Sequence, residues 1–315
     1  MSNAAQELGT RISSEIGKQM FGVEESVHAM TIALIGQGHL LLEGPPGVGK
    51  TRLSKAFANC LGGRFRRIQG TADLMPSDIL GVHVYNSRSQ EFQFKEGPIF
   101  ADVLLVDEVN RAGPKTQSAL LEAMEERQVS SDTATLPLPP DFLVVATQNP
   151  REFEGTFPLP ESQLDRFMLS VSVSYPARDD EVRILESYSI PGHTPLEDSE
   201  PEPIEHGLLT RARDQIAEVR LAPELMRYVM DISLATRQSA RISLGLSTRG
   251  ALALATAARI EASLRGGDYA IPDDVQRVAP WVIPHRLLLT SDAVIDGVDS
   301  AQVSSEILES VSVPL

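Results

Sequence analysis

Cysteine, aromatic residues and long apolar runs are scarce in this chain, and each shortage excludes a class of protein. The single cysteine, Cys60, cannot form a disulfide within the chain, and its place in an apolar helical pattern indicates buried packing rather than redox chemistry. No apolar run approaches the roughly 18 residues that cross a bilayer, so we expect no membrane span. Because the first 20 residues also lack a signal-peptide pattern, we predict a cytoplasmic protein.

Basic residues are in the minority. The chain has 28 Lys and Arg against 43 Asp and Glu, a formal net charge of -15. Binding to nucleic acid requires a basic surface that neutralises phosphates, so this balance disfavours a nucleic-acid partner, although a local basic patch would escape the argument. The composition is that of a folded globular protein, and 315 residues are enough for two domains.

Short apolar runs alternate with helical patterns between residues 23 and 175, as a sheet built from strand-helix crossovers requires. We predict strands at 39–42, 66–69, 103–106, 142–147 and 168–173. The runs at 103–106 and 142–147 are continuously apolar, which is typical of the centre of a parallel sheet. A helix over 51–61 should end at Gly62 and Gly63, since a helix C-cap favours glycine.

Two segments interrupt this alternation. Val82 and Val84, then Phe92 and Phe94, alternate with polar residues around a turn, which predicts a hairpin. A second hairpin is predicted over 128–138, with its tip near Ser131 and Asp132. The plain alternative for both is a surface ribbon without a function.

A segment rich in proline and acidic residues, 191–205, marks a boundary, and the pattern after it is helical to the end of the chain. The predicted fold class is therefore α/β, with a parallel sheet flanked by helices followed by a small all-helical domain. The predicted units are residues 1–190, a linker at 191–206 and residues 207–315.

A phosphate-binding loop lies between the first predicted strand and the following helix, which is the context that such a loop requires. Its residues are Gly44, Pro45, Pro46, Gly47, Val48, Gly49, Lys50 and Thr51. Glycines let backbone amides turn toward an anion, Lys50 can reach the outer phosphates, and Thr51 can coordinate Mg²⁺. The loop predicts binding of a nucleoside triphosphate with magnesium. The chain has no Asn-Lys-x-Asp guanine motif, which argues against a GTPase.

Two carboxylates follow the buried run 103–106. We assign Asp107 to the metal and Glu108 to activation of the attacking water, since ligands of such folds bind at the carboxyl ends of the strands. Asn149 follows the next buried run, where a neutral amide could hold the water and the terminal phosphate. A solvated strand end or an ordinary turn is the alternative for these residues.

These motifs together resemble the MoxR family of AAA+ ATPases, and the resemblance spans almost the whole chain. They are the phosphate loop, Asp107-Glu108 with Asn110-Arg111, LLEAMEE at 120–126, ATQNP at 146–150, PLPE at 158–161 and LDRF at 164–167. The resemblance implies ATP and Mg²⁺ as cofactors, a P-loop AAA+ core and a helical lid domain. It also makes the two hairpins the helix-2 insert and the pre-sensor-1 hairpin, which face the pore of a ring in similar proteins.

The resemblance assigns Asn149 as sensor 1, Arg166 as arginine finger and Arg249 as sensor 2. Arg249 lies at the start of a helix beginning near Ser247, where a cation opposes the helix dipole, and a phosphate partner would explain it. The alternatives are an exposed, screened Arg249, and an Arg166 that only balances an acid such as Asp165.

The resemblance also predicts residues that lie near the adenine of the bound nucleotide. Arg52, directly after the loop, and Gly22 are predicted to contact the nucleotide. Similar proteins usually carry glutamine directly after this glycine, but here Val23 follows Gly22. This position therefore gives no evidence that the pocket prefers adenine.

The implied function is ATP hydrolysis coupled to remodelling or maturing a protein client, in a homo-oligomeric ring predicted as a hexamer. A partner with a von Willebrand factor A domain and insertion of a metal cofactor are implications of the resemblance alone. Two alternatives are a nucleotide-dependent assembly scaffold with incidental turnover and a DNA-associated motor, which the acidity disfavours.

Overall fold

The computed structural model describes residues 3–130, 135–150, 154–189, 201–205 and 207–314. Its helices are α1 Ala4–Gly17, α2 Glu24–Ile35, α3 Lys50–Cys60, α4 Pro76–Leu80, α5 Pro114–Glu126, α6 Glu161–Leu164, α7 Arg178–Ser189, α8 Leu208–Glu218, α9 Pro223–Gln238, α10 Thr248–Leu264, α11 Pro272–Val282, α12 Ser291–Ile295 and α13 Ser300–Ser310. Its strands are β1 Leu40–Glu43, β2 Phe65–Gln69, β3 Gly81–Asn86, β4 Glu91–Glu96, β5 Val103–Asp107, β6 Gln128–Ser130, β7 Thr135–Pro137, β8 Leu143–Gln148, β9 Leu169–Ser172, β10 Ile242–Leu244 and β11 Leu288–Leu289. Among these described residues, no helix is long and apolar enough to cross a membrane.

Five strands form one parallel sheet in the order β2-β5-β8-β1-β9. Alternate residues of a strand face opposite sides, so Leu40 and Leu42 pack into one hydrophobic core and Leu41 into the other. Because helices cover both faces, the central strands are apolar along their whole length, as Val103 to Val106 illustrate. All five strands end at the same edge, which carries the phosphate loop.

The predicted strands agree with the observed ones to within about one residue at most ends. Helix α3 ends at Cys60, and Gly62 follows with a φ of +65°, which confirms the predicted glycine at the helix end. Cys60 is buried, and burial raises the pKa of its thiol to about 12, so it packs as an apolar side chain.

Both predicted hairpins form. β3 pairs with β4 and β6 with β7, each antiparallel. The predicted tip at Ser131 and Asp132 lies outside the described residues, as does most of the predicted linker. The C-terminal part is helical as expected but also contains a two-stranded ribbon, in which β10 pairs with β11.

The N-terminal helices pack against the C-terminal ones. One hydrophobic core contains residues from α1, α2 and α3 together with residues from α8 to α11. Polar contacts reinforce this junction, since Trp281 Nε1 donates to Glu25 Oε1 at 3.0 Å and His28 Nε2 lies 2.5 Å from Glu261 Oε2. The C-terminal helices are therefore packed against the helices that cover one face of the sheet.

Candidate nucleotide site

The phosphate loop joins β1 to α3, and its glycines are required by the backbone. A Cβ on Gly44 would lie 2.1 Å from the carbonyl oxygen of Val173, so no larger residue fits there. Gly49 caps α3 with a φ of +87°, a conformation that residues with a side chain rarely adopt. The loop thereby leads directly into a helix N-terminus, where free amides and the helix dipole favour an anion.

Lys50 occupies the first turn of α3 and closes over the loop. Its Nζ donates to the carbonyl oxygens of Gly44 and Pro45, at 2.7 and 3.2 Å. Burial lowers the pKa of the Lys50 ammonium, and the charges of Asp107 and Glu108 oppose that effect. These carbonyls hold the ammonium at the centre of the loop, where an outer phosphate would be a stronger, charged acceptor.

Asp107 is the last residue of β5, between β2 and β8 at this edge, and is buried. Thr51 Oγ1 donates to Asp107 Oδ2 at 3.2 Å, so the two predicted metal ligands are neighbours. Arg67 Nε donates to the same oxygen at 2.7 Å, and Thr147 Oγ1 donates to Oδ1 at 3.2 Å. A carboxylate beside a hydroxyl is a donor set that suits Mg²⁺, which prefers oxygen ligands and retains several waters. The residues therefore fit the predicted ion.

Glu108 follows Asp107 in a left-handed conformation, with a φ of +52°. This conformation is uncommon for a residue with a side chain, and here the backbone N–H of Glu108 donates to Thr147 Oγ1 at 2.9 Å. Gln69 Nε2 donates to Glu108 Oε2 at 2.9 Å, and Arg111 Nε lies 3.2 Å from that oxygen. Both contacts engage Oε2, so Oε1 can accept a hydrogen bond from water.

Asn149 lies directly after β8 and lines the same cleft as the phosphate loop, Asp107 and Glu108. The residue before it is fixed by β1, since Gln148 Nε2 donates to Glu43 Oε1 at 2.5 Å. The strands thus bring the predicted water-positioning amide to the edge that holds the two acids.

The cleft has a volume of about 820 Å³. Besides the loop, its wall includes residues 19–21, Val23, Arg52 and the α7 residues Glu181, Ile184 and Leu185. Gly22 has a φ of +70° and packs against Pro176, so it shapes this wall, although its neighbours and not Gly22 itself line the cleft. Arg52 Nη2 donates to the carbonyl oxygen of Gln19 at 3.2 Å, which ties this segment to α3.

Comparisons with known proteins identify the family of this chain. Residues 39–169 match the model of the ATPase family associated with various cellular activities, and residues 234–307 match an AAA lid domain. Chaperone MoxR1 of Mycobacterium tuberculosis is 41% identical over 309 residues, covering 95% of this chain and 81% of that protein. The chain belongs to the MoxR family of AAA+ ATPases.

Two further proteins resemble this MoxR-family chain along almost its whole length. The YeaC protein of Bacillus subtilis is 43% identical over 300 residues, covering 95% of this chain and 93% of that protein. A crystal structure of a candidate ATPase from Cytophaga hutchinsonii superposes with a TM-score of 0.90 at 34% identity, covering 99% of this chain and 96% of that one. The P-loop fold with a lid is therefore shared with these proteins.

The remaining predicted site residues, Arg166 and Arg249, lie together but do not line the nucleotide cleft. They line a separate cavity of about 320 Å³. Arg166 Nη1 lies 3.1 Å from Glu125 Oε2, and Arg249 Nη2 donates to Glu125 Oε1. Glu125 is the last residue but one of α5, so one carboxylate pairs with both arginines.

Arg166 is paired with an acid, as the plain alternative from the sequence allows, but that acid is Glu125 and not Asp165. The Oδ1 of Asp165 accepts from Arg286 Nε at 2.7 Å, and its Oδ2 accepts from Ser247 Oγ at 2.9 Å. Arg286 is buried and also donates to the carbonyl oxygens of Phe167 and Met168, at 2.6 and 3.1 Å. These bonds attach the loop that carries Arg166 to the beginning of α10, which carries Arg249.

Four polar residues that contact the predicted site residues were not singled out from the sequence: Arg67, Gln69, Thr147 and Glu125. Arg67 and Gln69 alternate on β2, the strand next to β5, but a charged residue on an edge strand is too common to single out. Glu125 is one of four acidic residues between 122 and 132. Only the packing of α5 against the Arg166 loop distinguishes it from the others.

Proposed function

We propose that this chain is a Mg²⁺-dependent ATPase that acts as a homo-oligomeric ring, predicted as a hexamer. We also propose that ATP turnover remodels or matures a protein client. The observation that carries hydrolysis is the arrangement at the ends of β5 and β8, where Thr51 lies beside Asp107 and Glu108 is anchored through one carboxylate oxygen. A relative that is named a chaperone supports the proposal that a protein client is remodelled or matured.

Different residues of the chain have different roles in the reaction. Backbone amides of the loop and Lys50 bind the phosphates, and Thr51 with Asp107 would hold the metal, which neutralises phosphate charge when bound. Asn149 orients the attacking water, and Glu108 accepts its proton. Arg67 pairs with the buried Asp107 carboxylate and holds it in place beside Thr51.

The position of the arginines supports the ring. Arg166 and Arg249 are 30% and 51% exposed and line a different cavity from the phosphate loop of their own chain. We propose that both reach the phosphates bound by a neighbouring copy, so each active site needs two chains. The partner with a von Willebrand factor A domain and a role in metal insertion rest on the family resemblance only.

Mixing two inactive variants tests this proposal. Lys50→Ala lacks a working pocket, and Arg166→Ala lacks a finger, which can contribute about a thousandfold or more in rate. Each variant alone should be inactive, and the mixture should hydrolyse ATP wherever an intact pocket meets an intact finger. Turnover would be measured across several ratios, with co-assembly confirmed by sedimentation.

The alternatives give different results. A scaffold with incidental turnover predicts ATP-dependent assembly of the wild type with negligible hydrolysis. Co-assembly without recovered turnover would rule out the role of Arg166 toward a neighbour. A wild-type chain that stays monomeric at all nucleotide and protein concentrations would rule out the ring.

A further inference from the structure

Glu125 lies between two arginines that would otherwise repel each other. Its two carboxylate oxygens engage different partners, Oε2 with Arg166 and Oε1 with Arg249. Two guanidinium groups that share a carboxylate lie within a few ångströms of one another, a distance at which like charges repel substantially near a protein surface. One carboxylate therefore stabilises a geometry that the arginines could not hold alone.

The contact with Glu125 leaves N–H donors of both arginines available. Each pair involves one terminal nitrogen, and a guanidinium carries five N–H donors in a rigid fork. The remaining donors can still bind phosphate oxygens while Glu125 stays in place. If Glu125 blocked phosphate binding, its carboxylate would have to occupy more of these donors.

The backbone behind the pair is also fixed. Asp165, the residue before Arg166, is bonded to Ser247, two residues before Arg249, and to the buried Arg286. This clamp, consisting of Asp165, Ser247 and Arg286, sets the distance between the two chain segments. The clamp places the backbones, and within the part of the chain that the structure describes Glu125 forms ion pairs with both guanidinium groups.

We infer that Glu125 is a positioning residue that presents Arg166 and Arg249 as one unit to the polyphosphate held by a neighbouring copy of the chain. This inference rests on the proposed function, because it requires the arginines to act across a subunit interface. Glu125 lines the cavity of Arg166 and Arg249 and not the nucleotide cleft of its own chain. Its effect is on the geometry of the two cations that a neighbouring active site receives.

The substitution Glu125→Gln tests the inference with little risk to the fold, since the side chain is 35% exposed. Glutamine has the same shape but replaces one acceptor oxygen with an NH₂ donor and has no charge, so it cannot engage each arginine through its own oxygen or offset their repulsion. We expect kcat to fall by about tenfold, because a small misplacement of catalytic groups is costly, while KM for ATP stays unchanged. Glu122→Gln, an exposed carboxylate on the same helix, should match the wild type.

A mixing experiment separates positioning from a general structural defect. In a large excess of Lys50→Ala protein, nearly every Glu125→Gln pocket would have a neighbour with an intact Glu125. Turnover per intact pocket should then rise to that of wild-type protein diluted into the same excess. If Glu125→Gln instead damaged the pocket of its own subunit, the low turnover would remain in the mixture.

Three results would overturn the inference. Turnover equal to that of Glu122→Gln would show that Glu125 has no role, and increased turnover would show that it restrains the arginines. A defect that the excess of Lys50→Ala protein does not repair would place the role of Glu125 in its own pocket. If Lys50→Ala and Arg166→Ala fail to complement while co-assembled, the proposed function fails and the inference falls with it.

Discussion

In the proposed mechanism, different single residues control the binding and the hydrolysis of ATP. Lys50 lies within the phosphate loop, whereas Glu108 lies at the end of β5 with one carboxylate oxygen anchored by Gln69. Binding and chemistry therefore depend on different side chains. This separation allows each to be removed without the other.

Glu108→Gln should bind ATP with nearly wild-type affinity and hydrolyse it about a hundredfold or more slowly, because the amide cannot accept the proton of the attacking water. Equilibrium binding of a fluorescent ATP analogue and steady-state turnover would measure the two effects. Lys50→Ala is the matched control, which should lose binding itself. Wild-type turnover by Glu108→Gln would contradict the assignment of the base.

At the scale of secondary-structure elements, His39 joins a helix and two strands. Its Nδ1 accepts from the backbone N–H of Val144 at 3.0 Å, and its Nε2 lies 3.1 Å from the carbonyl oxygen of Met124. A neutral ring with its proton on Nε2 satisfies both contacts. Burial, opposed by the Met124 contact, lowers the pKa of His39 from 6.5 to about 4.

The depressed pKa predicts acid sensitivity of the fold. The unfolded chain takes up a proton near pH 6.5 and the folded chain only near pH 4, so the free energy of unfolding is fully retained above pH 6.5 and falls as the pH drops toward 4. The loss from His39 should be about 3 kcal/mol. His285 adds to it in the same direction, since burial and the adjacent Arg286 also lower its pKa.

Urea unfolding between pH 4 and 7 would measure this slope. His39→Asn keeps an acceptor for Val144 but does not titrate, so it should be less stable at pH 7 and show a shallower pH dependence. An unchanged slope in that variant would contradict the role of His39.

The two hairpins are elements whose existence is clear and whose role is still a prediction. The β3–β4 hairpin carries Tyr85 and Phe92 as a T-shaped pair with ring centroids 5.4 Å apart, and both rings are largely exposed. Their placement at the pore of a ring is a prediction of the family resemblance.

At the scale of the whole molecule, the C-terminal helices share a hydrophobic core with α1 to α3. The only tryptophan, Trp281, lies at this junction and bonds to Glu25 of α2. A division of the chain into a core and a lid therefore does not imply that the lid unfolds independently.

We expect one cooperative transition in urea, with tryptophan fluorescence and far-ultraviolet circular dichroism changing together, because separating the helices would expose the apolar core between them. Glu25→Gln, which retains an acceptor for Trp281, is the matched control and should shift both curves equally. A fluorescence transition at clearly lower urea than the circular dichroism transition would show that the lid detaches first.

The sheet, the phosphate loop and the two acids could be predicted from the amino-acid sequence, because these depend on local features. An apolar run of strand length, a glycine-rich turn and the polar residues that follow are contiguous in the chain, so Lys50, Asp107 and Glu108 could be assigned from their neighbours in sequence. The family motifs extended this to Asn149, Arg166 and Arg249. All of these assignments concern which residues belong to the predicted nucleotide site.

Only the tertiary structure decided which of these residues meet. Arg166, Arg249 and Glu125 are separated by up to 124 positions in the chain, and their contact depends on how α5, α6 and α10 pack. The same holds for Arg67 beside Asp107, which requires β2 to lie next to β5. Side-chain contacts between distant segments follow from the packing of whole elements, and that packing is set by all the apolar surfaces together rather than by any one stretch of sequence.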